Sequence, residues 1–190
     1  MRITLCFRFL SLAFAFLALS LTASAQSRDH LTPQEVELVQ ESQVLDQRTE
    51  VFIKAIERRM QAVNGIQQAA VTKQEKKDAE RWGELPKGSR AQLIGDIARI
   101  LEEAITNIDD VSYHDEKNPL LSKSLRKLDA AVSVLVTQLA PIGEQTKSPE
   151  EISSVNQALE NAQAIIDAAK KLGPPSEAEK IKGKNKKPKG

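Results

Sequence analysis

Asp109, Asp110, His114, Asp115 and Glu116 are the densest grouping in this chain of side chains that bind metals or move protons. Four carboxylates and one imidazole could hold Zn²⁺ or Mn²⁺, and the carboxylates alone could hold Ca²⁺. The spacing is not that of an EF-hand loop, which alternates acids around a Gly and closes on a Glu. It is also not His-Glu-x-x-His on one helix face. A di-metal site inside a helical bundle needs inward-facing Glu and a Glu-x-x-His pair. Here Val111 stands three residues before His114, and the apolar helix faces carry no acidic positions. Polar residues are ordinary in a connection between helices, so the solvated loop is the reading to set against the metal site.

Other chemistries have fewer residues to work with. Gly-x-Ser-x-Gly, Ser-x-x-Lys followed by Lys-Thr-Gly, and a Gly-rich phosphate cradle are all missing from the sequence. Glu102 and Glu103 are neighbours on a helix, which aims them about 100° apart. Haem would require Cys-x-x-Cys-His or a His on a core face. His30 precedes the first helix cap and His114 falls in a connection, so both are expected at the surface. The sequence thus predicts a non-enzymatic protein with no cofactor. Trp82, in Trp-Gly-Glu-Leu-Pro-Lys-Gly, either closes one end of the helical core with Leu85 or anchors a protein partner, since Trp is enriched at binding hot spots.

The last seventeen residues offer a different chemistry. Lys180, Lys182, Lys184, Lys186, Lys187 and Lys189 follow Pro174-Pro175 with almost nothing apolar among them. Such a segment is expected to be disordered. Its charge suits anionic lipid, envelope polymer or another polyanion, bound through counterion release. No aromatic residue interleaves the lysines, so base stacking and sequence-specific nucleic-acid binding are not expected. The alternative is a solvating tail folded onto the body, which is net acidic.

The elements that must carry these residues are legible from their ends. Thr32-Pro33-Gln34-Glu35 combines a hydroxyl cap, Pro at the first helical position and Glu at the third, a capping box that Leu31 and Val36 can staple. Ser148-Pro149-Glu150-Glu151 repeats it, Asn118-Pro119 is a third start and Ser89 with Gln92 a fourth. Pro141 with Gly143, and Gly173 before Pro174, read as stops. Apolar residues recur at helical spacing: Leu93, Ile97, Ile100, Ala104 and Ile108; then Leu121, Leu125, Leu128, Val132, Leu135 and Leu139; then Ile152, Val155, Leu159, Ala162, Ile166 and Ala169. The first stripe, Leu38, Leu45, Phe52, Ile56 and Val63, is thin around Gln47-Arg48. A helix over 33–63 would be about 45 Å long, so it either overhangs its neighbours or kinks. Residues 66–88 show no clear period beyond a charged run at 73–81, which is either loop or a further helical turn or two.

The fold class predicted is all-α: an up-down antiparallel four-helix bundle over 26–173, with helices at about 33–63, 89–111, 119–140 and 149–172, and a disordered basic tail over 174–190. Before it, Arg2 and Arg8 lead into a 13-residue apolar run, Phe9 to Leu21, and then Ala23-Ser24-Ala25. That is the pattern of a secretory signal cleaved after Ala25, and the run is short of the ~20 residues a membrane-spanning helix needs. Removing 1–25 takes away the single Cys, Cys6, and leaves 25 basic against 26 acidic residues. A mature chain without Cys forms no disulfide and offers no thiolate ligand.

Leu31-Thr32-Pro33-Gln34-Glu35 resembles the Leu-Thr-x-x-Gln helix starts of small periplasmic stress chaperones, with Glu35 where those have Gln. The resemblance covers five residues and implies an exported helical chaperone. The function expected is therefore an exported interaction or structural protein, secreted or periplasmic, with no transmembrane segment after cleavage. A chaperone-like module, or a polyanion binder using the tail, is the alternative.

Overall fold

The computed structural model describes residues 29–65 and 79–173. The expected signal segment, residues 66–78 and the lysine-rich tail lie outside them. The protein is all-α, and among the described residues there is no strand. Its helices are α1 (Pro33–Glu41), α2 (Leu45–Val63), α3 (Arg90–His114), α4 (Leu120–Gln145) and α5 (Pro149–Lys170). Residues 79–82 add a helical turn that ends at Gly83, whose φ of +67° is the left-handed value that favours glycine. None of the described helices is long and apolar enough to cross a membrane.

The capping grammar is realised at α1 and α3. Thr32 and Glu35, and likewise Ser89 and Gln92, make reciprocal side-chain bonds to each other's backbone N–H. Ser148 caps Glu151 N, and Asn118 Oδ1 accepts from Leu120 N at 2.9 Å. Two expectations on helix ends are corrected. The single helix over 33–63 is broken at 42–44, where Arg48 Nε donates to Ser42 O at 2.9 Å and the thin Gln47-Arg48 stretch begins α2. The break lets α1 fold back against α2. Pro141 and Gly143 do not stop α4, which continues to Gln145. Pro141 is exposed while Ile142 is buried, so the next turn stays packed although one backbone donor is lost.

Packing sets the helix neighbours. α2 lies against α3 and α4, and α5 against the same two, while α3 and α4 touch little. Asp46 pairs with Lys123 and Lys127, and Glu50 with Lys127, so α2 and α4 run parallel. Arg90 pairs with Glu151, and Asn161 Nδ2 donates to Ala98 O at 2.8 Å, so α3 and α5 are also parallel. Short connections predict antiparallel neighbours, and α4 and α5 obey. The turn 115–119 instead carries the chain between two helices that touch little, which makes parallel partners of the helices beside them.

Ile94, Ile97, Ile100 and Leu101 are fully enclosed at the centre of α3. On α5 the fully buried face is Val155, Ala158, Ala162, Ile165 and Ala169; of the expected stripe Val155, Ala162 and Ala169 are buried, Leu159 and Ile166 pack half-buried against the core, and Ile152 is exposed. Alanines on that face bring α5 close enough to α3 for Asn161 to reach its backbone. At the other end of α5, a Cβ on Gly143 would lie 3.0 Å from Val155 Cγ1, so glycine is what allows α4 to close on α5.

Candidate functional site: a buried arginine pair

The strongest convergence of ionisable groups is one the sequence reading did not assign. Glu35 on α1 and Arg58 and Arg59 on α2 are all but completely buried. Glu35 stands at helical spacing between Leu31 and Leu38, and Arg59 three residues after Ile56 and seven after Phe52, so both occupy positions on apolar stripes. The break at 42–44 folds these stripes together and places the carboxylate on the guanidinium groups.

Arg59 grips Glu35 in bidentate fashion, Nη1 to Oε1 at 2.9 Å and Nη2 to Oε2 at 2.6 Å. Arg58 Nε reaches Oε1 at 3.2 Å, and Thr32 N–H donates to Oε2 at 2.9 Å. Other guanidinium donors go to backbone, while Arg59 Nε is buried without a hydrogen-bond partner among the described residues. Arg59 bonds Ala55 O and His30 O, while Arg58 Nη2 faces the carbonyls of Trp82, Gly83 and Glu84. Trp82 is the last residue of the helical turn 79–82 and Gly83 and Glu84 follow it, so Arg58 holds the chain where that turn ends. Trp82 lies with its ring centroid 5.7 Å from the Arg58 guanidinium carbon.

Burial pushes the Glu35 carboxyl up, but hydrogen bonding to Arg59, its charge, the Thr32 N–H and Arg58 outweigh it and hold the group below the usual glutamate value. Burial pulls Arg58 down, and Glu35 only partly restores it. A carboxylate held ionised accepts no proton near neutrality, and a guanidinium does not release one. The arrangement therefore fastens chain. It ties residues 30–35 and 82–84 to one turn of α2, and His30 Nε2, 2.8 Å from Glu103 Oε2, extends the fastening to α3. His30 is thus half-buried and partnered, which corrects its expected surface position. The expectation that the apolar faces carry no acid is also corrected, since Glu35 and Asp96 are both fully buried; Arg99 Nη2 donates to Asp96 Oδ1 at 2.6 Å.

The five metal candidates are not drawn into one site. Asp109, Asp110 and His114 belong to the last turns of α3, which runs three residues beyond its expected end, and Asp115 and Glu116 follow it. All five are exposed. His114 Nδ1 lies 2.8 Å from the Asp110 carbonyl oxygen, and its ring meets Tyr113 edge-on. Among the described residues, no three of His, Cys, Asp and Glu group closely enough to hold an ion. Trp82 is half-buried against Arg58. Lys180, Lys182, Lys184, Lys186, Lys187 and Lys189 lie outside the described residues.

No family model, curated protein or solved structure matches this chain. The signal that could have found the clasp was present in the sequence: one acid and one base, each in register with an apolar stripe on either side of a thin helical stretch.

Proposed function

We propose that this chain is an exported, non-enzymatic protein of the bacterial envelope or extracellular space that works by binding other molecules. Its helices α2 to α5 form one bundle whose direction alternates along the chain, with α1 strapped to its side and a basic sequence following Gly173. The observation that carries this reading is the clasp, where three buried ionisable side chains converge and their charged groups are turned to carbonyls, a backbone N–H and one another. Charge committed in this way fixes how α1 and residues 82–84 sit on α2, a matter of geometry more than of added stability. Export is supported by the Arg2-to-Ala25 pattern.

The binding chemistry with a specific observation behind it is that of a polyanion. Gly173 is held through its carbonyl by Arg126, and six lysines follow it in the sequence between 180 and 189. At low salt the full chain is expected to bind vesicles rich in anionic lipid, and a chain ending at 173 is not. Equal binding by the two removes the tail from the account. Suppression of aggregation of a denatured client by the shortened chain would instead favour the chaperone-like alternative.

A further inference from the structure

Half of α4 is free of charge. From Ala130 to Gly143 the sequence carries fourteen residues without Asp, Glu, Lys or Arg, in a chain where these make up 28%. A buried segment would explain such a run, but the outward side of this one is exposed: Ala130, Ser133, Val134, Thr137, Gln138 and Pro141 all face solvent. Positions 130, 134, 137 and 141 follow the four-three-four spacing of a helix seam that packs against another helix. Val134 is 56% exposed. Depletion of charge on an exposed face is the compositional mark of an interface centre.

The same face continues into a depression. Where α2 and α4 separate beyond their Asp46–Lys127 end, they leave a cleft of about 320 Å³. Ile53, Ile56, Met60 and Leu135 floor it, and Val134 stands at its edge. Gln61 lines the same cleft, and its Oε1 is buried without a donor. Burying an amide oxygen unpaired costs roughly 1–3 kcal/mol, so a donor arriving there is favoured. Asn64 and Gln138, exposed on the rim, carry such donors. Lys54 and Glu57, on the α2 side, supply one charge of each sign 3.3 Å apart.

A two-fold contact requires one patch to hold both halves of every interaction. This patch holds an aliphatic knob and an apolar hole, amide donors and an unpaired acceptor, and one positive and one negative charge. We propose that the α2–α4 face is a self-association surface, and that its occupant is a second copy of this chain. Each Val134 enters the partner's cleft, a rim amide reaches the partner's Gln61 Oε1, and Lys54 and Glu57 exchange partners across the axis. A net-charged partner would find no compensating charge on the α4 half of the face. The inference is independent of export and of the tail.

Sedimentation equilibrium of the full chain, from about 1 to about 100 μM, tests it. A monomer–dimer equilibrium is expected in that range. Val134→Glu and, separately, Thr137→Lys are expected to raise the dissociation constant at least about tenfold. Ile152→Glu, at an exposed aliphatic position on α5, is expected to leave it unchanged. Circular dichroism identifies the folded variants, and a folded one of the two decides the matter. A monomer throughout the range overturns the proposal, as does a dimer indifferent to both α4 substitutions or equally weakened by Ile152→Glu.

Discussion

Glu35 faces two guanidinium groups with no solvent to share its charge. Burying an ion pair adds little stability by itself, because desolvation offsets the attraction, but removing one partner strands the other. Glu35→Gln is therefore expected to cost about 3–5 kcal/mol, read as a shift in urea midpoint at unchanged slope. Acid should act through the same group. The Glu35 and Asp46 carboxyls sit below their ordinary values of 4.5 and 3.8, so their contribution is complete at neutral pH. It is lost as the pH falls beneath those ordinary values and through the folded ones. A thermal-unfolding series from neutral pH downward should show melting temperature holding and then dropping in that acid window, with a shallower drop in Glu35→Gln. At this scale the sequence was legible as a capping box but not as a salt bridge. Glu35 does both jobs, and the second depends on how far apart two helices stand once the chain has bent at Ser42.

At the scale of the helices, local rules placed starts better than stops. The hydroxyl caps act over three residues and the Asn118 amide over two, so Thr32, Ser89, Asn118 and Ser148 announce themselves. A stop is decided by what the next turn touches. Pro141 reads as a terminator, yet the burial of Ile142 keeps the helix going for another turn. Gly143 reads as a stop and serves as a gap for Val155. Gly143→Ala is therefore expected to destabilise the protein by about 1–3 kcal/mol through overpacking, although Ala is the better helix former. Pro141→Ala, which restores a backbone donor at an exposed position, is expected to stabilise it by about 1 kcal/mol or more. Chemical denaturation of the two variants checks both signs. The stripe on α5 follows the same logic: Val155, Ala162 and Ala169 are buried as their spacing predicts, and packing adds Ala158 and Ile165 while Leu159 and Ile166 stay half-buried.

For the whole molecule, helical class followed from periodicity, whereas neighbour relations did not. Nothing local to Asp115–Pro119 says that the turn joins two helices that barely meet, and that choice makes neighbours of the parallel helices α2 and α4. The charge-free half of α4 was open to view in the sequence, but its meaning needed the solvent-facing side of the helix. Hydrogen exchange should follow the packing. The amides of α3 around Ile94 to Leu101 are expected to be the slowest and those of α1 the fastest among the described helices, since α1 is fastened mainly by the clasp. The central proposal is an exported scaffold that works by binding, with the buried Glu35, Arg58 and Arg59 committed to structure. Native mass spectrometry of the protein purified from its own host tests this most directly. The predicted result is a chain beginning at Gln26 with no stoichiometric metal or small cofactor; a chain that keeps Met1 to Ala25, or one that carries a bound metal at unit stoichiometry, would contradict it.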